Sequence, residues 1–168
     1  MDRPSAITIR LPGEPIGQGR PRAAVRGGFA TIYDPPESRK WKATAQAHYL
    51  EALRVSGVAA PLFPAGPVEL HLVAVFTCPQ GDFRKTSRFP RRPSTKAPDM
   101  DNVLKIVMDA GLGVLWLNDA QVARTTAEKW IGEPGEAPYL ELTLASIDVP
   151  PAIPIVPAAV AAEVPRLF

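Results

Sequence analysis

Along this chain, stretches of alternating apolar and polar residues are interspersed with stretches of helical period. Ala6–Leu11 puts Ile7, Ile9 and Leu11 on one side and Thr8 and Arg10 on the other, the pattern of a half-buried strand that Pro12 and Gly13 end. Gly27-Gly28 predicts a turn into a short strand at Phe29–Tyr33. Pro35-Pro36 suits a helix start, and Trp41, Ala45, Tyr49, Ala52 and Leu53 recur at helical spacing, predicting an amphipathic helix over Glu37–Arg54. Val68, Leu70, Leu72, Ala74 and Phe76 share one face of a strong strand. Asp101–Leu112 reads as a second helix with Val103, Leu104, Val107 and Met108 as its apolar stripe, and strands follow near Gln121–Ile131 and Tyr139–Ser146. Helices and strands mix without strict alternation, which predicts an α+β fold: one domain with a mixed sheet packed against helices.

Three stretches break this pattern. GEPIGQGRPR follows no dinucleotide-binding spacing and reads as a flexible loop. Residues 77–98, TCPQGDFRKTSRFPRRPSTKAP, form a long polar segment with no period, and a loop of that length in a compact domain is functional or disordered more often than decorative. Five prolines (Pro150, Pro151, Pro154, Pro157 and Pro165) fall near the C-terminus. Proline lacks a backbone donor and resists helix and central strand, so residues 149–168 are expected to form a tail beside a domain spanning 1–148.

Composition narrows the function. The chain has 168 residues, long enough for one buried core, and its single Cys78 excludes an intramolecular disulfide. The single cysteine excludes a Cys-rich zinc site too, and with only His48 and His71, HNH-type nuclease chemistry is excluded as well. No apolar run is long enough to span a bilayer and no signal-peptide core is visible, so a cytoplasmic location is the expectation. The formal charge of +2 conceals an uneven distribution. Thirteen Lys/Arg face five Asp/Glu between Arg20 and Lys96, whereas six acids face one base between Glu128 and Glu163. That asymmetry is compatible with a face that binds a polyanion, and equally with clustered bases that merely solubilise loops.

The acids carry the chemistry. In KAPDMDNVLKIVMDAG, Asp99 and Asp101 stand two apart before a helix, and on an extended approach they face one side, within reach of one hard cation such as Mg²⁺. Lys105 lies one turn after Asp101, and Asp119, before the next strand, can return to the helix start. Three carboxylates and a lysine under a basic loop suit metal-assisted phosphodiester hydrolysis. The plainer alternative is helix chemistry: Asp99 or Asp101 as cap, and Asp101, Lys105 and Asp109 as an i, i+4, i+8 ladder of ion pairs. Eight residues of helix put Asp109 about 12 Å from Asp101, a poor separation for a shared ligand set. No nucleophile elbow or Walker loop is present, so no nucleotide cofactor is expected, and no acid-x-Lys follows Pro98-Asp99 at the spacing of PD-(D/E)xK nucleases.

Taken in order, G-Q-G-R-P-R, Y-D-P-P, K-A-P-D-M-D-N-V-L-K, L-W-L-N-D-A-Q-V and E-K resemble the RusA family of Holliday junction resolvases over about Gly13–Lys129. The resemblance implies a homodimeric, Mg²⁺-dependent endonuclease, with Mn²⁺ as a substitute, that nicks four-way or other branched DNA symmetrically. By it, Asp99, Asp101 and Asp119 fall on the family's metal-binding catalytic aspartates and Lys105 on its essential lysine. Asn118 stands where family members often carry a further acid, a difference expected to tune metal affinity. The Pro/Ala-rich tail is a second departure. Arg20, Arg22, Arg84, Lys85, Arg88, Arg91, Arg92 and Lys96 would then contact phosphates, which confers affinity and salt sensitivity. Phe83 and Phe89 either wedge against exposed bases or anchor their loop, and Trp41, Tyr49 and Trp116 are assigned to packing. The competing function is a non-catalytic branched-DNA binding module with structural acids.

Overall fold

The computed structural model describes residues 6–26, 28–83 and 90–147. The predicted strand at the N-terminus is β1 (Ala6–Pro12), and the hairpin is β2 (Arg22–Arg26) with β3 (Phe29–Tyr33), turning at Gly28 with φ +83°. The first helix is α1 (Pro36–Val55), followed by β4 (Val68–Phe76). The second long helix is α3 (Met100–Gly111), and β6 (Val122–Ile131) and β7 (Tyr139–Ser146) are the last of the described elements. The 77–98 segment differs from expectation: it contains a four-residue helix, α2 (Gln80–Phe83), and a two-residue strand, β5 (Arg92–Pro93), paired with β6.

Five strands form one sheet in the order β1-β7-β4-β6-β5, with β4 and β6 parallel and the other neighbours antiparallel. It is the mixed sheet that the pattern predicts. Period two fixes its buried face: Val68, Leu70, Leu72 and Ala74 of β4 and Leu142 and Leu144 of β7 are fully buried. Ala45, Tyr49 and Leu53 of α1 and Val103, Ile106, Val107 and Ala110 of α3 pack in the same cluster, so both helices cover one side of the sheet. Each fully buried aliphatic side chain is worth about 1.5–3 kcal/mol. The Arg54–Glu51 pair is exposed to solvent, which screens it, and joins two residues of the same helix, so burial and not surface pairing holds these layers together.

The rotation of α3 departs from the sequence reading. Val103 and Val107 face the core as expected, but Ile106 and Ala110 join them, whereas Leu104 and Met108 lie at the edge of the cluster. The hairpin β2–β3 pairs with neither sheet edge and exposes Phe29 and Ile32. Arg84, Lys85, Arg88, Phe89 and the proposed tail lie outside the described residues.

Candidate active site

A cavity of about 220 Å³ runs along two turns of α3, lined by Asp101, Leu104, Lys105, Met108, Asp109 and Asp119. The spacing i, i+3, i+4, i+7, i+8 places the five α3 residues on one helical face. That placement accounts for Leu104 and Met108: they form the apolar wall of the cavity instead of the centre of the core.

Asp119 reaches this cavity from the far end of the chain segment that leaves α3. It opens a 3-10 turn, Asp119–Gln121, and the strand starts three residues later than a direct strand opening would have it. Two devices fix the turn. Asn118 accepts a hydrogen bond from the Ala120 N–H at 2.9 Å, and Gln121 Oε1 accepts from the N–H groups of Leu117 and Asn118 at 2.9 and 3.0 Å, a reciprocal capping box. Gln121 Nε2 donates to the carbonyls of Phe63 and Gly66, both at 3.2 Å, tying the turn to the loop before β4. Asn118 is thus engaged with backbone at the position where a further acid was considered. Trp116, fully buried, does more than pack: its Nε1–H donates to Asp119 Oδ1 at 2.9 Å and orients that carboxylate.

Asp99 occupies the N-cap position of α3, where its carbonyl accepts from Val103 N at 3.1 Å, but its side chain makes no capping hydrogen bond. It is exposed and is not part of the cavity lining. Two of the three expected acids, Asp101 and Asp119, therefore share the cavity with Lys105, and Asp99 stands at its α3 approach. That approach is pinned from the sheet: Lys129 of β6 donates to the carbonyls of Lys96 at 2.8 Å and Pro98 at 2.7 Å. Among the described residues, no three His, Cys, Asp or Glu side chains form a group able to hold a metal ion.

The helix ladder considered above does not form. Asp109 pairs instead with Lys42 of α1 at 3.4 Å, and Lys42 also binds Asp34, in the Y-D-P-P segment between β3 and α1. Among the described residues, Lys105 has no hydrogen-bond or ion-pair partner. Gln18 completes this network, donating from Nε2 to Asp34 Oδ1 at 2.9 Å and from its backbone N–H to the Asn102 carbonyl at 2.8 Å. Buried Gln18 shows that GQG is a tight spacer and not a flexible loop. A Cβ on Gly17 would stand 2.8 Å from Pro98 Cβ, and one on Gly19 2.9 Å from Pro35 Cγ, so glycine is needed for close approach to both helix starts.

The hydrogen bond from Lys42 holds the Asp34 carboxyl below its ordinary range, with burial opposing and Gln18 and the field of Lys105 assisting. Burial works against the Lys42 charge, but the two acids outweigh it and the net shift is upward. The stability Asp34 contributes therefore belongs to its ionised form: complete at neutral pH, and lost as pH falls through its depressed folded value. Asp34→Asn is expected to cost about 1 kcal/mol at neutral pH, with the difference from the parent chain shrinking as pH falls through the depressed Asp34 value. Urea melts at several pH values measure this, and a pH-independent difference would contradict it.

Of the expected phosphate-contacting bases, Arg20 and Arg22 are exposed, beside and within β2, and Lys96 is exposed before α3. Arg92 sits in β5. Arg91 is engaged elsewhere: it binds Glu136, with Nε at 3.0 Å from Oε2, and lies 5.6 Å from the centroid of the Tyr139 ring. That pairing draws the Glu136 carboxyl below its ordinary range.

The cavity offers hard oxygen donors, an unpaired ammonium and an apolar wall, a combination suited to holding a phosphate group beside a hard cation. Comparison with known proteins gives two findings. The family model described as endodeoxyribonuclease RusA matches residues 12–142. The uncharacterized protein YqaN of Bacillus subtilis (strain 168) is 32% identical over 133 residues, 76% of this chain and 89% of that protein. No helix among the described residues is long and apolar enough to cross a membrane.

Proposed function

Because the chain belongs to the RusA endodeoxyribonuclease family, we propose that it is a Mg²⁺-dependent, structure-selective endonuclease that nicks four-way or related branched DNA symmetrically as a homodimer. The observation that carries this reading is the meeting of Asp101 and Asp119, from two separate elements, in one cavity with the unpaired Lys105. Mg²⁺ is commonly bound through one or two carboxylates together with water and substrate phosphate, and an all-protein cage is unusual for it. The donor set fits that habit: Asp101 and Asp119 would hold the ion, with water and substrate phosphate filling the remaining positions and Asp99 outside that pair at the helix approach. When bound, the ion activates water and neutralises charge developing on the phosphate.

The chain's own residues supply the rest. Lys105 places its ammonium against a non-bridging oxygen of the scissile phosphate, where added negative charge in the transition state strengthens the contact. Leu104 and Met108 keep bulk water from one wall of the cavity, which sharpens that electrostatic attraction. Trp116 and Gln121 hold Asp119 in place before the substrate arrives. Arg20, Arg22, Arg92 and Lys96, with Arg84, Lys85 and Arg88, track the DNA backbone and make binding sensitive to salt.

The test is incubation of the full chain with an end-labelled synthetic four-way junction and a linear duplex control, with and without Mg²⁺. Paired nicks on the junction alone, only with the ion, are expected. Junction binding with no nicking in Mg²⁺ or Mn²⁺ would favour a non-catalytic binding module. In the same assay Lys105→Ala is expected to slow nicking by about a hundredfold while changing junction affinity by less than about threefold.

A further inference from the structure

We propose that Lys42 is a positioning residue that keeps Lys105 available to substrate by occupying the two acids that would otherwise capture it. This proposal rests on the nuclease reading above. Lys105 stands on α3 with Asp109 one turn beyond it, a spacing at which Lys and Asp ordinarily pair. Asp34 lies near enough for the Lys105 charge to act on it. Yet neither acid binds Lys105, because both bind Lys42, which α1 delivers partly buried between them. Gln18 fixes Asp34 from the other side, and its glycine neighbours allow the close approach that puts it there.

The charge arithmetic points the same way. Asp101, Asp109 and Asp119 line the cavity and Lys42 ties Asp34 to Asp109, so a fourth carboxylate stands next to a place that must receive a phosphate. Lys42 neutralises the pair that has no ligand role, leaving Asp101 and Asp119 to a cation and Lys105 to the phosphate. Without Lys42, Asp34 and Asp109 would draw the Lys105 ammonium aside and repel the incoming anion.

Three variants test this: Lys42→Met, Lys42→Arg, and the triple variant Lys42→Met/Asp34→Asn/Asp109→Asn, which neutralises the whole network. Single-turnover nicking of a labelled four-way junction is expected to fall about tenfold in Lys42→Met, with junction Kd within about threefold of the parent chain. Nicking is expected to recover in Lys42→Arg and in the triple variant. Reductive methylation of Lys105, followed by peptide mass spectrometry, gives a readout independent of nuclease activity: labelling should slow several-fold in Lys42→Met and return in the triple variant. Parent-like nicking by Lys42→Met overturns the proposal, as does a folded triple variant that nicks poorly. Should Lys42→Met fail to fold, the triple variant alone decides. A parent chain that fails to nick any junction would sink the nuclease reading, while the labelling comparison still decides whether Lys42 keeps Lys105 unpaired.

Discussion

Asp101→Asn is expected to lower the single-turnover rate of junction nicking by about a thousandfold, equivalent to about 4 kcal/mol of transition-state stabilisation, while leaving junction binding within about threefold. The substitution keeps the shape of an exposed first-turn side chain and removes its charge, so no core contact is lost. The same outcome is expected for Asp119→Asn, in which the amide oxygen can still accept the Trp116 N–H bond. Gel-shift binding beside rapid-quench nicking separates the two effects. If either variant lost binding in step with cleavage, the acids would be part of the DNA-holding structure and not of the chemistry.

The second large effect is on stability, and its sign opposes helix propensity. Gly111 closes α3, and replacing a helical Gly by Ala ordinarily stabilises by about 1 kcal/mol. Here the added Cβ would stand 2.6 Å from Trp116 Cζ2, and that ring is fully buried with nowhere to retreat. Overpacking of this kind costs about 1–3 kcal/mol or more, so Gly111→Ala is expected to destabilise by about 2 kcal/mol net and lower Tm by roughly 4–8 °C. Because Trp116 also orients Asp119, nicking should slow in the folded fraction as well. An unchanged or higher Tm would show that the ring can move, and would remove it as a support for the site.

These outcomes turn on contacts that differ in how far the sequence displays them. Strands β1, β4 and β7 were legible because one face is buried and the other is not, which writes period two into the residues. The meeting of Asp101 and Asp119 in one cavity follows from spacing, since the segment leaving α3 returns to the start of that helix, and the motif resemblance points to the same pair. The rotation of α3 is not legible: an apolar residue facing a cavity and one facing the core look alike in a helical pattern, so the pattern alone assigns Leu104 and Met108 to the core. The glycines of GQG were read as freedom when their use is proximity, and nothing local separates those two meanings. Lys42 reaches Asp109 across 67 positions of sequence, a contact that no short-range spacing encodes. Two signals were present and unused: Asn118 and Gln121 have the spacing of a capping box, and Gly17 and Gly19 flank a polar residue next to an arginine-rich segment.

The pairing of the first strand with the last has a practical result. Ala6 faces Ala145, Ser146 faces Val68, and Val68 faces Val122, so both ends of the described fold quit the sheet at the margin from which the Asp119 turn hangs. With strands about 4.8 Å apart, those exits lie roughly 10–15 Å along that margin from the start of β6. Under the proposed function, a bulky group fixed at Ala6 or Ser146 is expected to crowd DNA approaching the Asp119 turn. A dye attached at either residue is expected to lie within energy-transfer range of a labelled DNA arm bound at that turn, so the transfer signal tests the proposed site.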